Sequence, residues 1–251
     1  EVSISDEQFA LRRKRVDELL DGFIQTKLKG LYFTISSGLS VWCADIELLQ
    51  KMKDAGLYRV RFPIETGSPD ILKYMKKTMI NLDEAKKLVS ASVRIGLWTE
   101  ANFILGTPYE TKKNIEETKD YIMSSDIDFP YVMMALSVPG ASMTEDARNE
   151  GLLAPTPRYY EIAYKNPPGS LVHTVEELKE FKREILQAFL KKQVFMLLNP
   201  IKAFKYLYPR VNSISGLKFF LRMAMFSIRD ILEHFQIPLG KSISDDAGGR
   251  N

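Results

Sequence analysis

Along the first 140 residues, short runs of apolar and β-branched side chains alternate with stretches whose apolar positions recur at helical spacing. The short runs fall at 2–5, 31–35, 58–64, 99–105 and 131–136 and are predicted strands. The stretches between them, 11–26, 46–55, 69–77, 82–95 and 112–124, are predicted helices. Their ends carry matching punctuation. Asp45 stands where its carboxylate can accept a free amide of the helix starting at Ile46, and Gly56 follows that helix. Ser68 with Pro69 behind it, and then Asn81, mark two further helix starts.

One helix separates each strand from the next, and strand starts recur roughly every 30 residues, so the strands run parallel through right-handed crossovers. An open doubly wound sheet and a barrel both satisfy that rule. No Gly-x-Gly-x-x-Gly or Gly-x-x-x-x-Gly-Lys follows a strand, which removes support for the open sheets that bind nucleotides. The prediction is an α/β fold, a partial TIM-like (β/α) barrel with parallel strands over residues 1–150. Its first strand has nothing before it to cover its edge, so an element upstream is expected to complete the barrel. Beyond it, 151–173 is proline-rich and predicts an irregular connection. A helical appendage is expected over 174–240, with helices at 175–198, 201–208 and 216–235, and then a frayed polar tail at 241–251.

Composition adds exclusions. With 251 residues, 45% hydrophobic and 27% charged, the chain can bury a full core and is too apolar for disorder. No uncharged apolar run is long enough to span a membrane as a helix, and residues 1–9 lack a signal-peptide pattern. A net charge of +3 is too small to argue for nucleic acid. The single cysteine, Cys43, excludes an internal disulfide framework and an all-cysteine metal site within these residues, and it suits a reducing cytoplasm. Beside Trp42 it reads as a small core residue, and His173 and His234 read as surface or capping residues.

In β/α barrels, reactive groups gather on the loops that follow the strands. Here those loops cover 6–9, 36–40, 65–68, 106–110 and 137–140, and each joins small residues to a few polar ones. That composition suits a small-molecule pocket. Two loops and their strands are recognisable: Phe62-Pro63-Ile64-Glu65-Thr66-Gly67-Ser68 and Phe103-Ile104-Leu105-Gly106-Thr107-Pro108-Tyr109-Glu110-Thr111. Together with Asp6-Glu7-Gln8-Phe9, Pro139-Gly140 and Glu150-Gly151-Leu152-Leu153, they resemble the later half of the radical S-adenosylmethionine (SAM) enzymes. The resemblance extends over roughly residues 1 to 155 and is nearest the branch with an upstream cobalamin-binding domain.

The resemblance implies SAM and a [4Fe–4S] cluster as cofactors, with cobalamin bound by an upstream domain. It places Glu65 by the SAM ribose, with Ser36 on the neighbouring strand end, Lys77 near the methionine carboxylate, and Gly67 and Pro108 among the cofactor-binding residues. It also implies that Phe103, Ile104 and Gly106 hold the adenine and that Asp6 faces the substrate. The family's Cys-x-x-x-Cys-x-x-Cys loop has no counterpart in this sequence, so the cluster ligands are expected upstream. The implied reaction is cleavage of SAM to a 5′-deoxyadenosyl radical, followed by hydrogen abstraction or methyl transfer.

The residues alone also admit plainer readings. Glu65 can be a strand-end ion pair, Lys77 a solvated helix-end lysine, Asp6 a helix cap, and Gly106-Thr107-Pro108 a turn. An unrelated barrel enzyme using Glu65 and Glu110, or a non-catalytic truncated barrel acting as a binding module, satisfies the same pattern. Residues 191–229 hold eight Lys or Arg and no acidic residue, interleaved with aromatic and aliphatic side chains at helical spacing. That pattern admits peripheral contact with an anionic membrane surface, which would suit a lipid-like substrate, and equally an ordinary helix packed on the barrel with its lysines in water.

Overall fold

The computed structural model describes residues 2–26, 32–153 and 170–211, together with residues 214, 217, 218, 221, 222 and 225. The chain divides into a compact unit through Arg210 and a second unit from Val211 onward. The expected connection at 154–169, His234 and the expected polar tail lie outside the described residues.

Five strands alternate with helices: β1 (Val2–Ile4), α1 (Arg13–Thr26), β2 (Phe33–Ile35), α2 (Ile46–Asp54), β3 (Arg59–Glu65), α3 (Pro69–Tyr74), α4 (Leu82–Arg94), β4 (Trp98–Leu105), α5 (Lys112–Ser124) and β5 (Phe129–Met134). Then come α6 (Ser142–Asn149), α7 (Val175–Leu198) and α8 (Pro200–Leu207). β1 pairs with β2, and β3 with β4 and β4 with β5, all parallel. A parallel bridge from Phe33 to Leu57, and a 2.7 Å bond from Leu39 N to Arg61 O, set β2 beside β3. The strands therefore follow one another in chain order, as in part of a β/α barrel.

The caps act as the sequence requires at two sites. Asp45 accepts Leu48 N at 2.7 Å, and Asn81 accepts Asp83 N and Glu84 N at 3.0 and 3.1 Å. Ser68 has the extended backbone of a cap, but its hydroxyl accepts Asn114 Nδ2 instead. Helix α1 starts at Arg13, two residues later than predicted, and α3 stops at Tyr74, short of Lys77. β5 runs two residues earlier than predicted, and α6 was not foreseen.

Alternation separates the two faces of the sheet. Phe62, Ile64, Ala101, Phe103 and Leu105 have no exposure and pack under the helices with Leu20, Leu48 and Met52. Burying each large side chain there is worth about 2 kcal/mol. The opposite face, toward the lumen, carries Arg59, Arg61, Glu100, Asn102, Ile104 and Tyr131. Helix α7 starts in a capping box between Thr174 and Glu177 and covers the outer side, packing on α5 and β5. His173, read as a surface or capping residue, precedes the cap Thr174 and is part-buried, its side chain 9% exposed. A turn closed by Ser170 Oγ folds it under α7, with its ring edge-on to Phe181 at 5.1 Å.

The strand starts are closed by the chain after α8. Arg210 has no side-chain exposure and lies 3.5 Å from Asp128, which itself accepts Thr99 N at 2.7 Å. The Arg210 guanidinium stacks 5.2 Å from the Trp98 ring and 4.4 Å from Tyr206. Burial raises the Asp128 carboxyl, and Arg210 pulls it down. In the second unit, residues 214, 217, 218, 221, 222 and 225 are helical, matching part of the helix expected at 216–235.

Candidate functional site

The distinctive geometry lies at the end of β3. The register against β4 slips between Pro63 and Glu65, and Glu65 adopts φ 73°. That left-handed conformation costs a residue with a Cβ about 1–2 kcal/mol. Strain of this kind, kept at a strand end, marks a functional constraint more often than a packing one. The Glu65 side chain is nearly buried, and Oε1 accepts Lys77 Nζ at 2.9 Å. No donor among the described residues reaches Oε2. Lys77 reaches Glu65 because the chain turns after α3, with Lys77 N on Leu72 O and Lys76 at φ 56°. A cleft of about 120 Å3 is lined by Ser40, Trp42, Pro63, Lys76 and Lys77, while Glu65 does not line it.

The loop after Glu65 is bolted to α5. Thr66 Oγ1 and Thr118 Oγ1 lie 2.9 Å apart, Gly67 N donates to Thr118 Oγ1, and Asn114 holds Ser68. A Cβ on Gly67 would stand 2.6 Å from Tyr121 Cβ and 2.7 Å from Glu117 O. The glycine at 67 is thus required by the helix behind it rather than by a ligand. Thr118 and Asn114 sit in an ordinary amphipathic helix, so nothing in the sequence marked them.

At the end of β4, Gly106 has φ 88°, and its amide donates to Glu110 Oε2 at 2.5 Å. Its open side faces Leu178 of α7. Burial pushes the Glu110 carboxyl up to about 7, against the pull of the Gly106 and Thr107 amides. Glu110 Oε1 and Thr107 Oγ1 are buried without a partner. Unsatisfied buried oxygens mark places that a water or ligand completes.

The other predicted residues are dispersed. Ser36, just past β2, donates from N and Oγ to Ile4 O at 3.0 and 3.2 Å and ties the first two strand ends. Asp6 is committed to its own loop, accepting Gln8 N and Arg15, and the Arg15 bond lowers its pKa. Phe103 faces Tyr121 of α5 with ring centres 6.1 Å apart, so its side chain serves the core; Ile104 alone of that pair faces the lumen. Pro108 is buried, and its carbonyl accepts Leu171 N at 2.9 Å.

The iron–sulfur cluster does not fit these residues. Cys43 is half-buried and bonded to Ser40 O, with its thiol pushed up by burial. Among the described residues no three His, Cys, Asp or Glu side chains converge as metal ligands. For SAM, Glu65 offers a carboxylate oxygen, Oε2, that has no donor among the described residues.

Parallel strands in chain order with helices on the outer side make up part of a β/α barrel, with a strained carboxylate at one strand end. Residues 4–122, just under half of the chain, match the family model described as the Radical SAM superfamily. An uncharacterized methyltransferase of Pyrococcus horikoshii is 27% identical over 244 residues, 97% of this chain and 45% of that protein. The radical SAM methyltransferase TsrM of Kitasatospora setae, with cobalamin and a [4Fe–4S] cluster bound, is 20% identical with TM-score 0.54 over 62% of this chain and 32% of its own. OxsB, a cobalamin-dependent SAM radical enzyme, gives TM-score 0.56 at 14% identity over 94% and 39%. At such identities the two structures speak for the fold. The chain spans about half the length of the curated relative.

Proposed function

We propose that this chain forms the SAM-binding side of a radical SAM enzyme whose reaction is methyl transfer or hydrogen abstraction on a small-molecule substrate. The observation that carries the reading is Glu65, held at φ 73° with one oxygen on Lys77 and the other open. In this reading, Glu65 accepts the ribose hydroxyls, Lys77 orients Glu65 and faces the methionine carboxylate, and Ile104 and the Gly106 strand end flank the adenine. Ser36 contributes the neighbouring strand end. When bound with its cluster, SAM supplies a carbon radical. In this reading the cluster ligands, and a cobalamin-binding domain if cobalamin is used, belong to sequence outside this chain.

Equilibrium dialysis of labelled SAM against the full-length, cluster-loaded protein tests the reading. Glu65→Ala is expected to weaken SAM at least tenfold. Equal binding by wild type and variant overturns the role of Glu65.

A second reading adds to the first and concerns location. Val194, Phe195 and Leu198 of α7 and Ile201, Phe204 and Tyr208 at α8 are 52–72% exposed at helical spacing. Lys191, Lys202 and Lys205 flank them. In the second unit, Ile214, Leu217, Leu221 and Met225 repeat the pattern, with Lys218 and Arg222 beside them. This chemistry suits an anionic bilayer surface and a lipid-like substrate, with the protein otherwise cytoplasmic. No described helix is long and apolar enough to cross a membrane. Co-sedimentation with vesicles containing phosphatidylserine, lost in Phe195→Ser/Phe204→Ser and absent with phosphatidylcholine alone, is the expected outcome. Full recovery in the supernatant contradicts it.

A further inference from the structure

The cleft between the turn after β2 and the turn after α3 has a chemistry of its own. Its walls include Ser40, Trp42, Lys76, Lys77, Met79 and Ile80, and it encloses about 120 Å3. Lys77 is committed to Glu65. Lys76 is not: among the described residues no carboxylate or other acceptor takes a hydrogen bond from its ammonium. The Ser40 hydroxyl has no partner among them either. Trp42 is 41% and Met79 63% exposed, so large apolar side chains stand open to solvent beside an unpaired cation.

The backbone makes a second, independent observation. Helix α3 ends with Lys77 N on Leu72 O at 2.9 Å and Lys76 N on Lys73 O at 3.1 Å, the pair of bonds that sends the residue between into the left-handed region. Glycine ordinarily takes that position, because it has no Cβ to clash. Here it is Lys76, at φ 56°. A lysine near a helix end is favoured by the helix dipole, but Lys73 already fills that role in the last turn of α3. Strain accepted at Lys76 therefore marks a use for its side chain, which lines the cleft.

We infer that this cleft binds a small aromatic carboxylate, its carboxylate on Lys76 Nζ and Ser40 Oγ and its ring against Trp42 and Met79. Charge-assisted hydrogen bonds hold the anion. Aromatic rings pair with one another by offset stacking or edge contact, and a thioether packs well on a ring edge. Size agrees, since a cavity of about 150 Å3 accepts benzene. A single ring thus fills most of this cleft, and its open side leaves room for the carboxylate. The site does not depend on the radical SAM reading; Lys77 alone belongs to both, and Glu65 stays outside the cleft.

The first test needs neither SAM nor iron. Benzoate is titrated into the whole chain labelled with nitrogen-15, and the indole N–H signal of Trp42, assigned with Trp42→Phe, is followed. A saturable shift is expected, with affinity roughly tenfold lower for benzamide, which lacks the charge. Cyclohexanecarboxylate, which lacks the aromatic face, should also bind more weakly. Lys76→Gly and Lys76→Asn remove the cation while keeping a residue that tolerates the left-handed region, so each should lose roughly tenfold in affinity. Thermal melts no lower than wild type separate lost binding from lost folding. No saturable shift, or equal affinities in wild type and both Lys76 variants, overturns the site. Cyclohexanecarboxylate binding as tightly as benzoate overturns the aromatic assignment. Labelled benzoate is then dialysed against the cluster-loaded full-length protein with and without SAM. Unchanged retention supports a separate site; release of benzoate by SAM would give the cleft to the cofactor and overturn the proposal. Dialysis of labelled SAM reads the cofactor alone, so the two readings fail separately.

Discussion

Lys77 Nζ donates to Glu65 Oε1 at 2.9 Å across the β3 bulge, joining a strained strand end to the turn after α3. The strain and the ion pair pull stability in opposite directions. Relief of the left-handed backbone in Glu65→Gly is worth about 1–2 kcal/mol. The half-exposed ion pair it removes is worth less than about 1 kcal/mol. Glu65→Gly is thus expected to unfold in urea at the same concentration as wild type or higher, while losing SAM binding. A lower midpoint would show that Glu65 serves the fold.

The Glu110 carboxyl makes stability depend on pH. Its folded pKa of about 7 lies above the ordinary 4.5, so the folded protein holds this proton more tightly than the unfolded chain. The contribution is fullest below pH 4.5 and is lost as pH rises toward 7, by about 3 kcal/mol in total. Glu110→Gln removes the titration but keeps an acceptor for the Gly106 amide. Urea unfolding from pH 4.5 to 8 should show a smaller decline in the variant than in wild type.

The two glycines of the strand-end loops differ in what they meet. In Gly67→Ala the new Cβ runs into backbone atoms of α5, which cannot step aside, at a cost of about 2–3 kcal/mol. In Gly106→Ala it meets Leu178 Cδ1 at 2.8 Å, the end of a flexible side chain, and the main cost is the φ of 88°, about 1–2 kcal/mol. Denaturation midpoints should rank wild type above Gly106→Ala above Gly67→Ala.

Arg210 closes the base of the barrel unit. Arg210→Met leaves the buried Asp128 without its counter-charge and is expected to cost about 3 kcal/mol or more. Arg210→Met/Asp128→Asn should recover part of that loss, and a double-mutant cycle in urea reads the coupling.

Much of this organisation was legible in the sequence because it rests on local rules. Strand and helix periods, Asp45 and Asn81 as caps, and the two strand-end loops are written in neighbouring residues. The bonds from Thr118 and Asn114 to the Glu65 loop span some fifty positions, and the contacts of Glu100 with Arg59 and Arg61 some forty; no periodicity announces them. Phe103 and Ile104 fell into one motif, yet the strand's alternation sends them to opposite faces. His173 lay outside every pattern, and its partial burial comes from packing against Phe181 of α7.

The most direct measurement is anaerobic reconstitution of the full-length protein with iron and sulfide, followed by electron paramagnetic resonance of the reduced state with and without SAM. The account predicts about four irons per chain and a reduced-cluster signal that changes when SAM is added. It also predicts that Glu65→Ala keeps the iron and loses the change. Absence of bound iron, or a cluster signal indifferent to SAM in the wild type, would contradict it.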